Sequence, residues 1–197
     1  MRTQWYGDKR DLVKWGTLIH LCKTEGIETI IQVPFLREQE FSHELVVETE
    51  AVPFPKAVWD HFRDLKHIAL LGSRSGLTIE VFPLAFNHSH RGVYIAELCA
   101  RISRMNAEPK VVFLDPDTGL EPRKASANHV TIDEIETVWK NLQPRDWLVL
   151  YQHSLRKTSW ENSQRKRFQN ACGRSKVKTF HCKDMAHDVV FFAASKT

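Results

Sequence analysis

Asp115 and Asp117 stand two residues apart around Pro116, in the stretch Leu114-Asp115-Pro116-Asp117-Thr118-Gly119-Leu120, directly after the apolar run Lys110 to Leu114. Two carboxylates at this spacing can hold a divalent cation through oxygen, move protons, or accept hydrogen bonds from an amino group. Asp and Pro followed by Thr-Gly also satisfy the chemistry of a plain turn. The position favours a site, because ligands of an open α/β sheet sit beyond the carboxyl ends of its strands. A second candidate ends the next apolar run: Leu150-Tyr151-Gln152-His153, followed by Arg156 and Lys157. Neighbouring strands lie ~5 Å apart, so Gln152 and His153 could share a cleft with Asp115. There His153 could act as acid, base or ligand near neutral pH, Gln152 could orient a polar substrate, and Arg156 and Lys157 suit a phosphate. The third is Tyr6-Gly7-Asp8-Lys9-Arg10-Asp11-Leu12-Val13-Lys14-Trp15, charged residues of both signs between aromatics at a helix start, where anions bind and Asp8 or Asp11 could cap.

Three weaker signals have ordinary explanations beside the functional ones. Gly72-Ser73-Arg74-Ser75-Gly76 could cradle a phosphate, but it lacks the G-x-x-x-x-G-K-[ST] spacing, and a flexible surface turn accounts for it. His88-Ser89-His90 could give two ligands to a transition metal, without a strong third nearby in sequence. Arg165-Lys166-Arg167 could follow a nucleic-acid backbone or form a solvated helix face.

Positioning these residues requires alternating strands and helices. After Asp11, the spacing of Leu12, Trp15, Leu18, Ile19 and Cys22 predicts an amphipathic helix that Gly26 stops, followed by a strand from Thr29 to Phe35. Residues 36–50 hold Glu38, Glu40, Glu44, Glu48 and Glu50 and read as a surface excursion. Pro55 opens a further helix through Leu65, and Leu77 to Phe82 suggests a strand. The pattern then sharpens. A helix carries Tyr94, Leu98 and Ile102, and Lys110 to Leu114 reads as a strand buried on both faces. Thr131 and Glu134 form a capping box at the next helix. Trp147 to Tyr151, a helix from Glu161 to Cys172, and strands at Val177–His181 and Val189–Ala193 complete the chain. Helical connections of this length predict a mostly parallel sheet with helices on both faces, closed by an antiparallel pair at one edge.

Composition bounds the rest. With 197 residues, 42% hydrophobic and 26% charged, the chain fits a single α/β domain over residues 1–197 and is neither disordered nor low-complexity. No run of ~18 apolar residues suits a membrane span, and the start, Met1 to Arg10, has no apolar signal region, so the expectation is cytoplasmic and not membrane-bound. Cys22, Cys99, Cys172 and Cys182 are far apart and read as free thiols. Residues 1–55 hold 6 Lys/Arg against 9 Asp/Glu, whereas residues 156–183 hold 9 Lys/Arg against Glu161 alone. Such a basic stretch suits nucleic acid as partner, or is simply solvated.

Two of these segments carry a resemblance. Gly7-Asp8-Lys9-Arg10-Asp11-Leu12-Val13-Lys14-Trp15 resembles the N-terminal G-N-x-A-D-V-L-K-H segment of the bacterial enzymes that methylate adenine N6 in large-subunit ribosomal RNA, with Gly7, Asp11 and Lys14 matching and Val13 standing where the family has Leu. Asp115-Pro116-Asp117-Thr118 stands where that family has D-P-P-[YF], and Asp115 and Pro116 match. The resemblance implies a Rossmann-like sheet of the methyltransferase type, S-adenosylmethionine as cofactor, and Asp115 at the amino group of a base. Two departures stand out. Thr118 replaces the stacking aromatic, a role that Tyr151 or a Trp would have to take, and the first strand ends in Pro34-Phe35-Leu36-Arg37 without the D-x-x-x-G-x-G turn on which the cofactor lies. As a set, Y-G-D-K-R-D, D-P-D-T-G-L-E and Y-Q-H are also similar to an uncharacterised bacterial protein group, which implies no activity.

Three functions therefore compete: a methyltransferase-like protein acting on adenine in nucleic acid; a nuclease or phosphohydrolase using Mg²⁺ or Mn²⁺ at Asp115 and Asp117 with His153; and a non-catalytic nucleic-acid-binding module contacting its partner through residues 156–183.

Overall fold

The chain alternates strands and helices as its hydrophobic periods require, and the computed structural model describes residues 8–37, 44–47, 49–53, 66–105, 108–122, 125–155 and 159–197. Helix α1 spans Lys9–Glu25, with the Asp8 side chain accepting from the main-chain N–H groups of Arg10 and Asp11 and with Gly26 in the left-handed region at φ 65°. That is a capped helix with the glycine stop its sequence indicates. Strand β1 (Thr29–Val33) follows, then a hairpin of β2 (Glu44–Val47) and β3 (Glu50–Pro53), where a plain excursion was expected. The helix expected from Pro55 to Leu65 lies outside the described residues. Helix α2 is Lys66–Ser75 and strand β4 is Thr78–Val81. Helix α3 (Arg91–Arg104), β5 (Lys110–Leu114), the two-residue strands β6 (Gly119–Leu120) and β7 (His129–Val130), and α4 (Ile132–Asn141) come next. Then follow β8 (Trp147–His153), α5 (Trp160–Ala171), β9 (Val177–Phe180), α6 (Lys183–Ala186) and β10 (Val189–Ser195). Thr131 and Glu134 make both bonds of the capping box on α4.

Six strands form one sheet in the order β4-β1-β5-β8-β10-β9. β4, β1, β5 and β8 are parallel, and β10 runs antiparallel between β8 and β9. This is the expected Rossmann-like, mostly parallel sheet with antiparallel strands at its C-terminal edge. Helices cover both faces. α3, α4 and α5 pack with Ile31, Val33, Val112, Leu114, Leu148 and Leu150, while α1, α2 and α6 pack with Ile30, Val111, Phe113, Val149, Tyr151 and Phe191. The alternation along each strand assigns every side chain to one face or the other. The chain leaves β1 for β4 on one side and returns to β5 on the other, which places the topological switch point between the carboxyl ends of β1 and β5.

The architecture also places two of the weaker signals. Gly72-Ser73-Arg74-Ser75 is the last turn of α2, not a phosphate-cradling loop. A Cβ on Gly72 would meet the Leu77 carbonyl oxygen at 2.8 Å, so this glycine serves helix–strand packing. His88 to His90 form a short 3₁₀ turn, and the Nδ1 of His88 faces the Arg91 guanidinium at 3.0 Å, an environment for anchoring α3 and not for holding a cation. All four cysteines are free, with Cys22, Cys99 and Cys172 buried, and burial pushes the Cys22 thiol up to about 12. Among the described residues, no helix is long and apolar enough to cross a membrane.

Candidate functional site

A cleft of about 400 Å³ lies beyond the carboxyl ends of β5 and β8 under the first turns of α1, lined by Asp115, Asp117, Thr118, Tyr151 and His153 from the sheet side and by Asp8, Arg10, Asp11 and Lys14 from the helix. Strand alternation explains the membership. Asp115 continues β5 on the same face as Val111 and Phe113, and Tyr151 and His153 continue the Trp147–Val149 row of β8. Both rows face α1. Gln152 necessarily points to the opposite face, and there it is fully buried and saturated by main-chain partners. Its Oε1 accepts from Leu120 N at 2.9 Å, and its Nε2 donates to the carbonyls of Thr118 at 3.1 Å and His153 at 2.7 Å. The expectation that Gln152 orients a substrate is thereby corrected: it pins the segment that forms the cleft wall.

Lys14 and Asp115 meet at the floor of the cleft. Lys14 is 5% exposed and Asp115 is 2% exposed. The Lys14 ammonium donates to Asp11 Oδ1 at 2.8 Å and to Asp115 Oδ2 at 2.9 Å, and Gln32 Nε2 donates to the same Asp115 oxygen at 2.9 Å. Burial by itself disfavours the ammonium, but the charges of Asp115 and Asp11 and their hydrogen bonds outweigh it and hold Lys14 above the ordinary lysine value. A buried lysine without such partners would shift downward and neutralise. Asp117 pairs with Arg37, which follows β1, so the two carboxylates of the D-P-D-T segment have different cationic partners. Pro116 between them is buried. Thr118 braces the turn by donating its N–H at 3.0 Å and its hydroxyl at 2.8 Å to the Asn128 carbonyl, alongside the β6–β7 pairing.

A second polar group lies beside this pair. Tyr151 Oη and His153 Nε2 are 2.9 Å apart, and His153 Nδ1 is 3.8 Å from Asp188 Oδ2. Arg10 Nε donates to that same Asp188 oxygen at 3.1 Å, together with its Nη2. The hydrogen bonds from Arg10 are the main cause that holds the Asp188 carboxyl below the usual carboxylate range. Burial lowers the pKa of His153, only partly opposed by Asp188, so the ring is neutral near pH 7. Burial also raises Tyr151 above the ordinary phenol value. The Tyr151 ring is edge-on to His153 at 5.3 Å and to Phe191 at 5.6 Å, with Lys14 Nζ 5.4 Å from its centroid. Packed in this way, it serves the site through its hydroxyl and not as a stacking platform.

Of the residues singled out from sequence, Asp115, Asp117, His153, Tyr151, Asp8, Arg10, Asp11 and Lys14 come together in one cleft. Asp8 caps α1, and Lys9 is exposed outside the lining. Arg156 and Lys157 lie outside the described residues. Within the basic stretch, Arg167 is drawn to Glu121 and Lys178 to Glu25, while Lys166 and Lys176 are exposed. Gln32, Arg37 and Asp188 were missed. Gln32 carried a readable signal, an amide inside the apolar run Thr29 to Phe35, whereas Asp188 reaches the site only because β10 inserts beside β8 and pairs Val189 with His153.

The described residues do not fit S-adenosylmethionine in the manner of the resembled family. Where its glycine-rich turn follows the first strand, this chain has Phe35 at 1% exposure and φ 47°. Phe35 packs against Phe86 at 4.9 Å and Tyr94 at 5.4 Å, and Phe82 closes the same cluster at the end of β4. Side chains fill the space into which backbone amides would have to open. For a divalent cation, no group of three or more His, Cys, Asp or Glu side chains in ligating arrangement occurs among the described residues. The ammonium of Lys14 stands between Asp11 and Asp115, where a cation shared by those carboxylates would sit. Comparison with known protein families finds no matching family model, and comparison with curated proteins finds no significant match.

Proposed function

We propose that this protein is a methyltransferase-like protein that recognises an adenine-type base of a nucleic acid in the cleft at Asp115. The observation that supports this reading is the meeting of the two resembling segments, 101 residues apart, at the Lys14–Asp115 contact of 2.9 Å on the cleft floor. A Lys, two Asp and a Gln converge beside an open cleft at the carboxyl ends of β1 and β5, and that placement argues for a ligand. An exocyclic amino group is a hydrogen-bond donor, and the cleft offers acceptors for it in its carboxylates and the Tyr151 hydroxyl. Because Phe35 and its aromatic neighbours fill the glycine-turn position, the reading is one of base recognition, and methyl transfer is not assigned.

Titration of the purified protein with a short labelled single-stranded oligoadenylate, followed by fluorescence anisotropy, tests this. Binding should weaken by about tenfold or more in Asp115→Asn, equivalent to ~1.4 kcal/mol, while circular dichroism stays unchanged. Equal affinity of wild type and variant would sink the assignment of Asp115. Calorimetry with S-adenosylmethionine should show no binding at micromolar concentration. Binding that Phe35→Gly strengthens would restore the methyltransferase reading in full.

A further inference from the structure

The polarity of the Tyr151 hydroxyl is set by two residues behind it. Asp188 places its carboxylate beside His153 Nδ1, with Oδ2 at 3.8 Å, on the side of the ring away from Tyr151. A carboxylate beside Nδ1 favours the proton on that nitrogen, which gives the neutral imidazole hydrogen on Nδ1 and a lone pair on Nε2. Nε2 then accepts from Tyr151 Oη across 2.9 Å. Having committed its only hydrogen, the Tyr151 hydroxyl has lone pairs alone to offer a ligand. Arg10 keeps this order by gripping Asp188 from α1, and Ser154 N donates to the Asp188 carbonyl at 2.8 Å from the end of β8.

We infer that Tyr151, oriented by His153 and Asp188, is a specificity-determining residue that meets the ligand as an acceptor and so selects a base with an amino group over one with a carbonyl at the same position. Selection of adenine rests on the base-recognition reading above; the orientation of the hydroxyl does not. Asp188 is a positioning residue that acts through His153, and Arg10 holds Asp188 in place from the cleft wall. A base with a carbonyl there, such as hypoxanthine, would set lone pairs against lone pairs. A site built around one hydrogen-bond polarity rejects the mismatched partner strongly because its own buried polar group is left unpaired.

Two measurements test the inference separately. Long-range ¹H–¹⁵N spectra of ¹⁵N-histidine-labelled protein at pH 8 report the tautomer of His153 without any ligand. The Nδ1–H form is expected in wild type and a mixed population in Asp188→Asn; a dominant Nε2–H form in wild type would overturn the orientation of Tyr151. Anisotropy with oligoadenylate and oligoinosinate reads the selection. Wild type should prefer oligoadenylate by about tenfold or more, and Tyr151→Phe should reduce the preference to within about threefold. Equal binding of the two by wild type, or an unchanged preference in Tyr151→Phe, removes the specificity role. If neither oligonucleotide binds, the base-recognition reading fails along with the selection, while the tautomer still decides how Tyr151 is oriented.

Discussion

β5 carries a buried lysine–aspartate pair at each of its ends, and the two differ in what surrounds them. At the amino end, Lys110 and Asp146 are almost wholly buried, with Nζ 3.2 Å from Oδ1 and 3.3 Å from Oδ2. Main-chain N–H groups saturate the carboxylate, Lys110 N on one oxygen at 3.0 Å and Gln143 N on the other at 2.9 Å. The pair is closed and faces no ligand space. At the carboxyl end, the Lys14 ammonium bridges two carboxylates that both border the cleft, with Tyr151, His153, Asp188 and Arg10 beside them. A buried ion pair is weak evidence for function, because its desolvation cost can equal its attraction. What separates the ends is surplus: the amino end has the polar groups needed to satisfy one another, whereas the carboxyl end gathers more of them and leaves them around an opening.

The contrast can be broken by substitution. Lys110→Met leaves the Asp146 carboxylate buried without its cation and should cost about 3–5 kcal/mol in urea unfolding, the largest effect here; a loss below ~1 kcal/mol would mean the closed end is not a structural lock. Gly119→Ala comes next. The residue has φ 110°, and an added Cβ would lie 2.4 Å from Gln152 Oε1. Gln152 cannot retreat without abandoning its main-chain bonds, so strain and overpacking together should cost about 2–4 kcal/mol. A stable Gly119→Ala protein would show that Gln152 does not hold the wall. Lys14→Met should destabilise less than Lys110→Met, by about 1–3 kcal/mol, since its carboxylate partners border the cleft and can recruit water. It should also lose oligoadenylate binding, and a variant that binds normally would detach the cleft floor from recognition.

The smallest effect expected is that of pH. His153 and His129 both have pKa values lowered from 6.5, by burial first, with Arg91 adding to the effect at His129. Asp188, Arg10 and Asp117 are the charged groups that act on His153. Below pH 6.5 the unfolded chain takes up these protons before the folded one does, so stability is full above that value and falls as pH drops toward the folded pKa values. The slope should reach at most about 1.4 kcal/mol per pH unit for each group. Urea midpoints at pH 7.5 and pH 5.5 in wild type and His153→Asn measure the contribution of His153; identical pH dependence in both would exclude it.

Local signals in this sequence are strong where one residue type has one physical job. Asp8 caps α1, Gly26 ends it, Thr131 and Glu134 box α4, and the runs at Lys110 and Trp147 are the fully buried strands that their apolar residues indicate. They are weak where apolar and acidic residues mix, as around the β2–β3 hairpin, and where a glycine sits inside a helix, as at Gly72. Within the site, proximity in sequence misled at one position: Gln152 stands between Tyr151 and His153 but points to the other face, because successive strand residues alternate.

The sequence alone determined the mostly parallel sheet, the strand ends bearing Asp115 and His153, and the charged first turn of α1, since each follows from periodicity, capping or turn chemistry within a few residues. Which of those groups meet depends on how the elements pack. The register of β5 against β8, the packing of α1 over their ends, and the insertion of β10 beside β8 bring Lys14 onto Asp115 and Asp188 onto His153. These pairings join residues far apart along the chain, and they are set by how whole elements bury their apolar faces together, which no local pattern of residues encodes.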